Sequence, residues 1–454
     1  MAYEGYLCYA GTEIINNARV AAYSQGLVGI RCDGGPWLPA SLGDEPYTNP
    51  GDDPAPWWDE AVPESRYFLG IAGLRVTGAE DGTASSDWTD LVLDGAMPGP
   101  VRHGARELSF RVLLVGVGEA GVSYGRAWLA NALVGNTCGQ DNHVTMYAAA
   151  PEPEPVLSGA GSCDMTGQQV RQRLARSEWA TEPVARGDQL ERILYRCQVL
   201  DPPSTVTKAR IGSVVLAETT FTIRAGNPWW WRRPVVVASN ETVQPVPPDY
   251  WSGEVADYDA DAVWRECQTL QASQDCLADP LNSLPGCEPV PLPPIPVPPE
   301  DPCYPGGMYA NATRTMIRVP PGAVARWLDK VPVVTLATGS RPLRRLTMRW
   351  WANPLNAPAG PDRDPCLVCS QWSVAYLPER STFTMDGRTQ RMSVVCRGTS
   401  VQRPTLYGPD GRPMSWPVLE CSTAMILELI IDSRWPAAPD LELSVSLAVR
   451  EDAC

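Results

Sequence analysis

The sequence predicts a mainly β protein of two bodies, the first with one helix against its strands, joined by a proline-rich spacer. Three observations carry this reading. Short runs rich in Val, Ile, Leu and Thr recur along the chain, separated by Gly, Pro, Asn and Asp. One good helical segment, Val122–Leu133, places Tyr124, Trp128 and Ala132 at i, i+4 and i+8, with Leu129 and Leu133 beside them. Finally, ten of the twenty-one residues from Pro285 to Pro305 are proline. A length of 454 residues leaves room for two or three domains.

In the first body, residues 1–239, Arg106–Val117 (RELSFRVLLVGV) alternates polar and apolar residues and then turns apolar, as a half-buried strand does. Arg192–Val199 and Val214–Ile223 repeat the strand signature. Residues 240–305 form the linker. Its acidic part, Ala256–Ala278, has room for a short helix around Ala262–Ala272. Pro289–Pro299 reads as polyproline II, a spacer of roughly 34 Å. An SH3-type ligand is the functional alternative for that tract; a stiff linker is the simpler reading.

In the second body, residues 306–454, eight runs are strand-like: Thr315–Val319, Val333–Ala337, Leu346–Trp351, Ser373–Leu377, Thr382–Met385, Arg391–Arg397, Ala424–Ile431 and Leu441–Val449. Asp386-Gly387 and Asp410-Gly411 mark turns between them, and the spacing indicates a β-sandwich. Trp350 and Trp351 are adjacent, so on a strand they point to opposite faces, one into the core and the other toward solvent or a partner.

Composition removes several function classes. There are 52 acidic against 37 basic residues, a net charge of −15, and no basic run that would neutralise phosphates. Lys208 and Lys330 are the only lysines, so 35 of the basic residues are Arg. With His103 and His143 as the only histidines, His-rich metal sites and multi-His catalysis are nearly closed off, and neither metal nor cofactor is expected. No apolar stretch approaches the ~18 residues that span a bilayer, so membrane insertion is not expected. Met1–Asn17 carries no secretory signal. The 14 cysteines therefore read as thiols folded in a reducing cytosol, mostly small buried hydrophobes or late disulfides. Cys366-x-x-Cys369 stands without a second such pair, and Cys267, Cys276, Cys287 and Cys303 lack zinc-site spacing.

Chemical motifs are scarce. Gly116-Val-Gly118-Glu-Ala-Gly121 matches a dinucleotide fingerprint, with Asp141 twenty residues on. The preceding strand is half-exposed and no βαβαβ series follows, so the glycines are better read as a tight strand-to-helix turn. There is no GxSxG, HExxH or Walker A sequence. Asp52-Asp53 and Asp59-Glu60 around Trp57-Trp58 have the carboxylates for sugar chemistry but the composition of a solvated loop. No catalytic residue is assigned, and the chain is not expected to be an enzyme. Asn227-Pro-Trp229-Trp230-Trp231 closes the first body. Three aromatics in sequence cannot share one core, so at least one of Trp229, Trp230 and Trp231 is expected at a subunit or partner interface.

Gly11-Thr-Glu-Ile-Ile-Asn-Asn-Ala-Arg-Val20, the segment Ala55–Gly70 and Tyr124-Gly-Arg-Ala-Trp-Leu129 resemble minor tail proteins of long-tailed phages (siphoviruses) of Actinobacteria. The second half, notably Leu377–Arg388 with its strand, Asp-Gly and Arg, is similar to the outer domain of the distal-tail family. The resemblance covers nearly the whole chain. It implies a virion structural protein, made in the host cytoplasm and placed at the tail tip or baseplate. It implies an N-terminal domain like the tail tube, a β-barrel or sandwich with one flanking helix, and a C-terminal galectin-like β-sandwich. The implied assembly is a homo-oligomeric ring, usually a hexamer. Its implied neighbours are the tail tube protein, tail hub and tip proteins and the tape measure protein, with DNA passing through without specific binding. An acidic lumen would then repel the phosphates. The alternative is a C-terminal sandwich that binds host-surface glycan or carries receptor-binding proteins. The long acidic, Cys-containing proline linker departs from the family pattern and leaves the placement of the outer domain open.

Overall fold

The computed structural model describes residues 2–25, 37–90, 94–135, 142–151, 155–156, 178–179, 190–242, 312–319, 328–353, 368–396, 398–401, 406–407, 416, 419, 424–432 and 437–452. They fall into two compact units, Met1–Arg233 with Val449–Cys454, and Pro234–Ala448. The last six residues thus belong with the first unit, whereas the sequence reading placed them in the second body. From residue 243 to its end, the expected linker lies outside the described residues, as do Asp410-Gly411 and Cys366.

Unit 1 opens with strands β1 (Tyr3–Tyr9) and β2 (Thr12–Asn16) joined by a two-residue turn. Ala10 and Gly11 both have positive φ, 51° and 84°, which is the hairpin turn whose twist matches its strands. Helix α1 (Asn17–Tyr23) follows, capped by the Asn16 side chain, which accepts from the Arg19 N–H. A short helix α2 (Leu38–Leu42) leads to the loop carrying Trp57, then to β3 (Phe68–Thr77). An excursion holds β4 (Ala84–Ser85), β5 (Trp88–Asp90), β6 (Ala96–Pro98) and β7 (Arg102–His103). The chain then makes β8 (Arg106–Val117), α3 (Gly118–Ala132), β9 (His143–Tyr147), and the two-residue β10 (Pro155–Val156) and β11 (Glu178–Trp179). Strands β12 (Glu191–Tyr195), β13 (Cys197–Ile211), β14 (Val214–Ala225) and β15 (Trp230–Trp231) complete it.

Two antiparallel sets of strands face each other in this unit. One has the order β13-β14-β8-β3, and the other β2-β1-β9-β12-β15. β8 pairs β14 without a break from Arg106↔Ala225 to Val117↔Val214. Leu108, Phe110, Val112 and Leu114 of β8 enter the core, while Glu107, Ser109 and Arg111 stay exposed, as the alternation predicted. Across the core lie Leu7, Ile14, Val144 and Leu194, with Val122 and Leu129 of α3. The sheets are open: β13 and β3 are unpaired edges, so the expected tube-like domain has no closed barrel among the described residues.

Some boundaries differ from the sequence reading: α3 begins at Gly118, four residues before the predicted Val122. Arg192–Val199 is not one strand, because Arg196 turns the chain with φ 59° between β12 and β13. β13 then runs on through Pro202-Pro203, which an edge strand tolerates because its outward N–H groups need no partner.

Unit 2 is a sandwich. Its strands are β16 (Val235–Thr242), β17 (Ala312–Val319), β18 (Asp329–Ala337), β19 (Leu343–Asn353), β20 (Val368–Leu377), β21 (Ser381–Asp386), β22 (Arg391–Cys396), β23 (Thr399–Val401), β24 (Leu406–Tyr407), β25 (Ala424–Asp432) and β26 (Glu442–Glu451). One layer is β26-β18-β21-β22-β23 with β16 also on β26; the other is β17-β25-β19-β20-β24. Between them pack Val334, Leu336, Phe383 and Val445 from one side, and Leu346, Met348, Trp350 and Leu429 from the other. Each predicted strand here falls on an observed one.

Trp350 and Trp351 do take opposite faces, but both are buried, Trp351 only 5% exposed. Trp351 Nε1 donates to Glu428 Oε2 at 2.9 Å, beside the buried Arg349, so the expected solvent-facing tryptophan instead serves an internal polar cluster. The Asp386-Gly387 turn is closed by Arg388, whose Nε and Nη2 each donate to the Asp386 carboxylate at 3.0 Å. A Cβ on Gly387 would stand 2.1 Å from Val331 Cγ1, so only glycine fits.

Candidate assembly site around Trp229–Trp231

The Pro228-Trp229-Trp230-Trp231 segment lies where the chain's C-terminal residues return to unit 1. Trp230 stands opposite Glu451 and Trp231 opposite Arg450, making β15 a strand paired on one side by β12 and on the other by the end of β26. Adjacent residues on this strand cannot share a face, yet Trp230 and Trp231 are 0% and 2% exposed. Trp230 Nε1 donates to the Ala79 carbonyl at 2.9 Å, whereas Trp231 Nε1 is buried without a hydrogen-bond partner. Both are spent inside this chain.

Trp229 is different. It is half-buried and lies between two cationic or titratable side chains, with the His103 ring at 4.2 Å and the Arg450 guanidinium at 4.3 Å from its centroid. Of the three expected interface residues, it alone retains accessible surface for a partner.

Beneath the tryptophans, Arg106 organises the site. Its side chain is fully buried, a costly place for a charge, and its N–H groups are correspondingly saturated. Nε donates to the Pro228 carbonyl at 2.9 Å, and Nη1 to Gly78 at 2.9 Å, Ala79 at 3.3 Å and Asp81 at 2.6 Å. Nη2 donates to the Asp452 carbonyl and faces the Asp452 carboxylate at 3.5 Å. That carboxylate also accepts from the Thr83 N–H at 3.0 Å and Thr83 Oγ1 at 2.6 Å, with His103 at 3.7 Å. Burial pushes the Asp452 carboxyl up, but the Thr83 hydrogen bonds and the charges of His103 and Arg106 outweigh it and hold it below the usual range.

Glu451 makes the second anchor. Its Oε2 accepts from Arg192 Nε at 2.7 Å and its Oε1 from Arg232 Nε at 2.6 Å, with both Arg192 and Glu451 side chains under one-tenth exposed. Arg233 pairs with Glu191 alongside. The C-terminal acids are therefore clasped by arginines from β8, β12 and the segment after β15. Sequence reasoning missed this clasp, since residues 106, 192, 232, 451 and 452 have no local pattern that joins them.

Other sequence candidates have structural roles. Gly116, Gly118 and Gly121 form the turn into α3. Gly118 has φ 70°, and a Cβ on Gly121 would stand 2.2 Å from the Tyr67 carbonyl oxygen, so α3 approaches the backbone closely. Asp53 binds its own loop, accepting from the Thr48 and Asn49 N–H groups at 2.6 and 3.0 Å. Trp57 is buried and donates to the Phe68 carbonyl at 3.1 Å. In unit 2 Trp350, Trp351 and Trp372 are buried and offer no sugar-stacking face. No group of three or more His, Cys, Asp or Glu placed to hold a metal occurs among the described residues. No described helix is long and apolar enough to cross a membrane.

No family model and no curated protein matches the chain. Among solved structures, it is similar to the Dit protein of SPP1, presented as a paradigm of the hub adsorption apparatus in phages that infect Gram-positive bacteria. That likeness has a TM-score of 0.38 and 10% identity, covering 86% of this chain and 95% of that one. A second likeness is to the phage P2 baseplate in its activated, Ca-containing conformation, with a TM-score of 0.37 and 8% identity over 87% and 94% of the two chains. At these values neither likeness bears on function.

Proposed function

We propose that the chain is a structural protein of a bacteriophage tail: a distal tail protein whose copies form a ring, six by expectation, joining the tail tube to the tip or baseplate. The reading is supported chiefly by the framework on which the resembling segments fall. Gly11–Val20 spans the first hairpin and α1, Ala55–Gly70 runs from the Trp57 loop into β3, and Tyr124–Leu129 is the face of α3 that packs on Phe68 and Trp57. Those segments build the strand-and-helix body that the resemblance implies for the ring-forming domain. Unit 2, a two-layer sandwich, suits the outer domain, galectin-like in this reading.

In such a ring the chain's work is geometric, with the tube, hub and tape measure proteins as neighbours. DNA passes through a lumen that carries more Asp and Glu than Arg. Mass photometry with negative-stain imaging of the purified full chain tests this. Annular particles of about six copies are expected, and a chain that stays monomeric at every concentration and with its tail neighbours present would sink the ring.

A further inference from the structure

The chain between β3 and β8 forms an arm. From residue 81 to residue 105 no described residue is buried. The arm holds two short ladders, Ala84–Ser85 with Arg102–His103 and Trp88–Asp90 with Ala96–Pro98. A two-stranded ribbon of this kind is marginal in water by itself. Its order therefore depends on how its root is held.

Both sides of the root meet at one carboxylate. On the outgoing chain, the Thr83 N–H and Thr83 Oγ1 donate to Asp452 Oδ1 at 3.0 and 2.6 Å. On the returning chain, His103 Nδ1 stands 3.3 Å from Thr83 Oγ1 and 3.7 Å from the same Asp452 oxygen. The Thr83 hydroxyl has one proton and gives it to Asp452, so toward His103 it can only accept. That places a hydrogen on Nδ1 and makes a relay from His103 through Thr83 to Asp452. The His103 ring also packs on Trp229, their centroids 4.2 Å apart.

The anchored and the unanchored parts of the chain meet at a glycine on each side. Arg106 donates to the carbonyls of Gly78, Ala79 and Asp81, which fixes the outgoing chain up to residue 81 whether or not Thr83 is seated. Gly82 comes next, immediately before Thr83, and Gly104 follows His103. A Cβ on Gly104 would meet nothing within 4 Å. Glycines so placed give the backbone freedom to turn where the arm leaves its anchor.

We infer that Gly82 and Gly104 are a hinge and that Asp452 is the latch holding the arm across it. With Thr83 and His103 seated on Asp452, the arm is fixed on unit 1 and its exposed Trp88, Met97 and Val101 are held in one place. With the latch undone the arm swings as a unit, while Arg106 keeps residues 78–81 and β8 where they are. Opening uncovers little apolar surface, because no described residue of the arm is buried, so it is a local event far short of unfolding unit 1. The latch is independent of the ring reading: it belongs to the single chain and would operate in a protein that never assembles.

Hydrogen–deuterium exchange of the full chain, read by mass spectrometry, tests it. The double variant Thr83→Val, His103→Ala removes the arm's side of the latch and leaves the Arg106–Asp452 contact. Amides from residue 83 to residue 104 are expected to exchange roughly tenfold faster than in the wild type, while β8 and β14 keep their protection. Thr83→Ser keeps the hydroxyl and should exchange as the wild type does. Asp452→Ala removes the other side and should free the same amides, with a smaller loss of protection in β8 and β14 than in the arm. Arm amides that exchange equally fast in the wild type and in both variants overturn the latch. Acceleration of β8 and β14 in step with the arm overturns it as well, since Asp452 would then support unit 1 in general and the arm would be no separate element.

Discussion

Arg106 and Asp452 show how a few side chains hold the end of the chain in place. Removing one partner of a buried pair strands the other charge, which typically costs about 3–5 kcal/mol. Glu451→Ala, which removes the carboxylate that Arg192 and Arg232 share, is expected to destabilise unit 1, measured as a lower denaturation midpoint. Acid should act on the same clasp. A carboxyl whose folded pKa lies below its unfolded value, ~3.9 for Asp, contributes stability that is present above that pH and is lost as pH falls through the folded value. Asp452 is such a group, so the wild-type clasp should weaken below about pH 4 while Asp452→Asn, already weakened at pH 7, shows a flatter acid limb. Burial also pushes the Cys8 thiol up to about 11, so alkylation at neutral pH should spare it until the chain is unfolded.

At the scale of elements, α3 depends on close approach. Gly121 and Gly125 lie on the side of the helix that meets Tyr67 and Phe68, where a Cβ on Gly125 would come within 2.1 Å of the Phe68 ring. Gly121→Ala and Gly125→Ala should each cost about 1–3 kcal/mol by overpacking, despite alanine's better helix propensity. The glycine string that imitates a nucleotide motif is thus explained by packing. β26 makes the complementary point. Ending the chain after Ala448 would remove the strand beside β15 and both acidic anchors, and unit 1 is expected to melt earlier, by calorimetry, with its Trp230 and Trp231 fluorescence shifted to the red. Trp230→Ala is a poor probe of self-association for the same reason: emptying a fully buried Trp site costs about 3–5 kcal/mol. Trp229→Ala is the informative one.

For the whole molecule, the sequence determined whatever depends on short-range pattern. β8 and β14 and every predicted strand of unit 2 could be read because alternation and β-branched runs reflect which face meets a core. Helix α3 could be read from its 3.6-residue repeat, although its first turn was hidden behind glycines. Only the tertiary structure decided what depends on residues far apart in the chain. Arg106 meeting Asp452, and Arg192 meeting Glu451, join positions more than 250 residues apart that carry no mutual signal. The same holds for the buried ends of Trp230, Trp231 and Trp351. A tryptophan on a two-sided strand has an inward and an outward face, and whether the outward one is covered depends on which distant segment packs there. The exposed arm at Trp88 and Met97 is the converse case: the sequence made no distinction between these residues and buried ones, and only the fold shows that no described residue of unit 1 covers them.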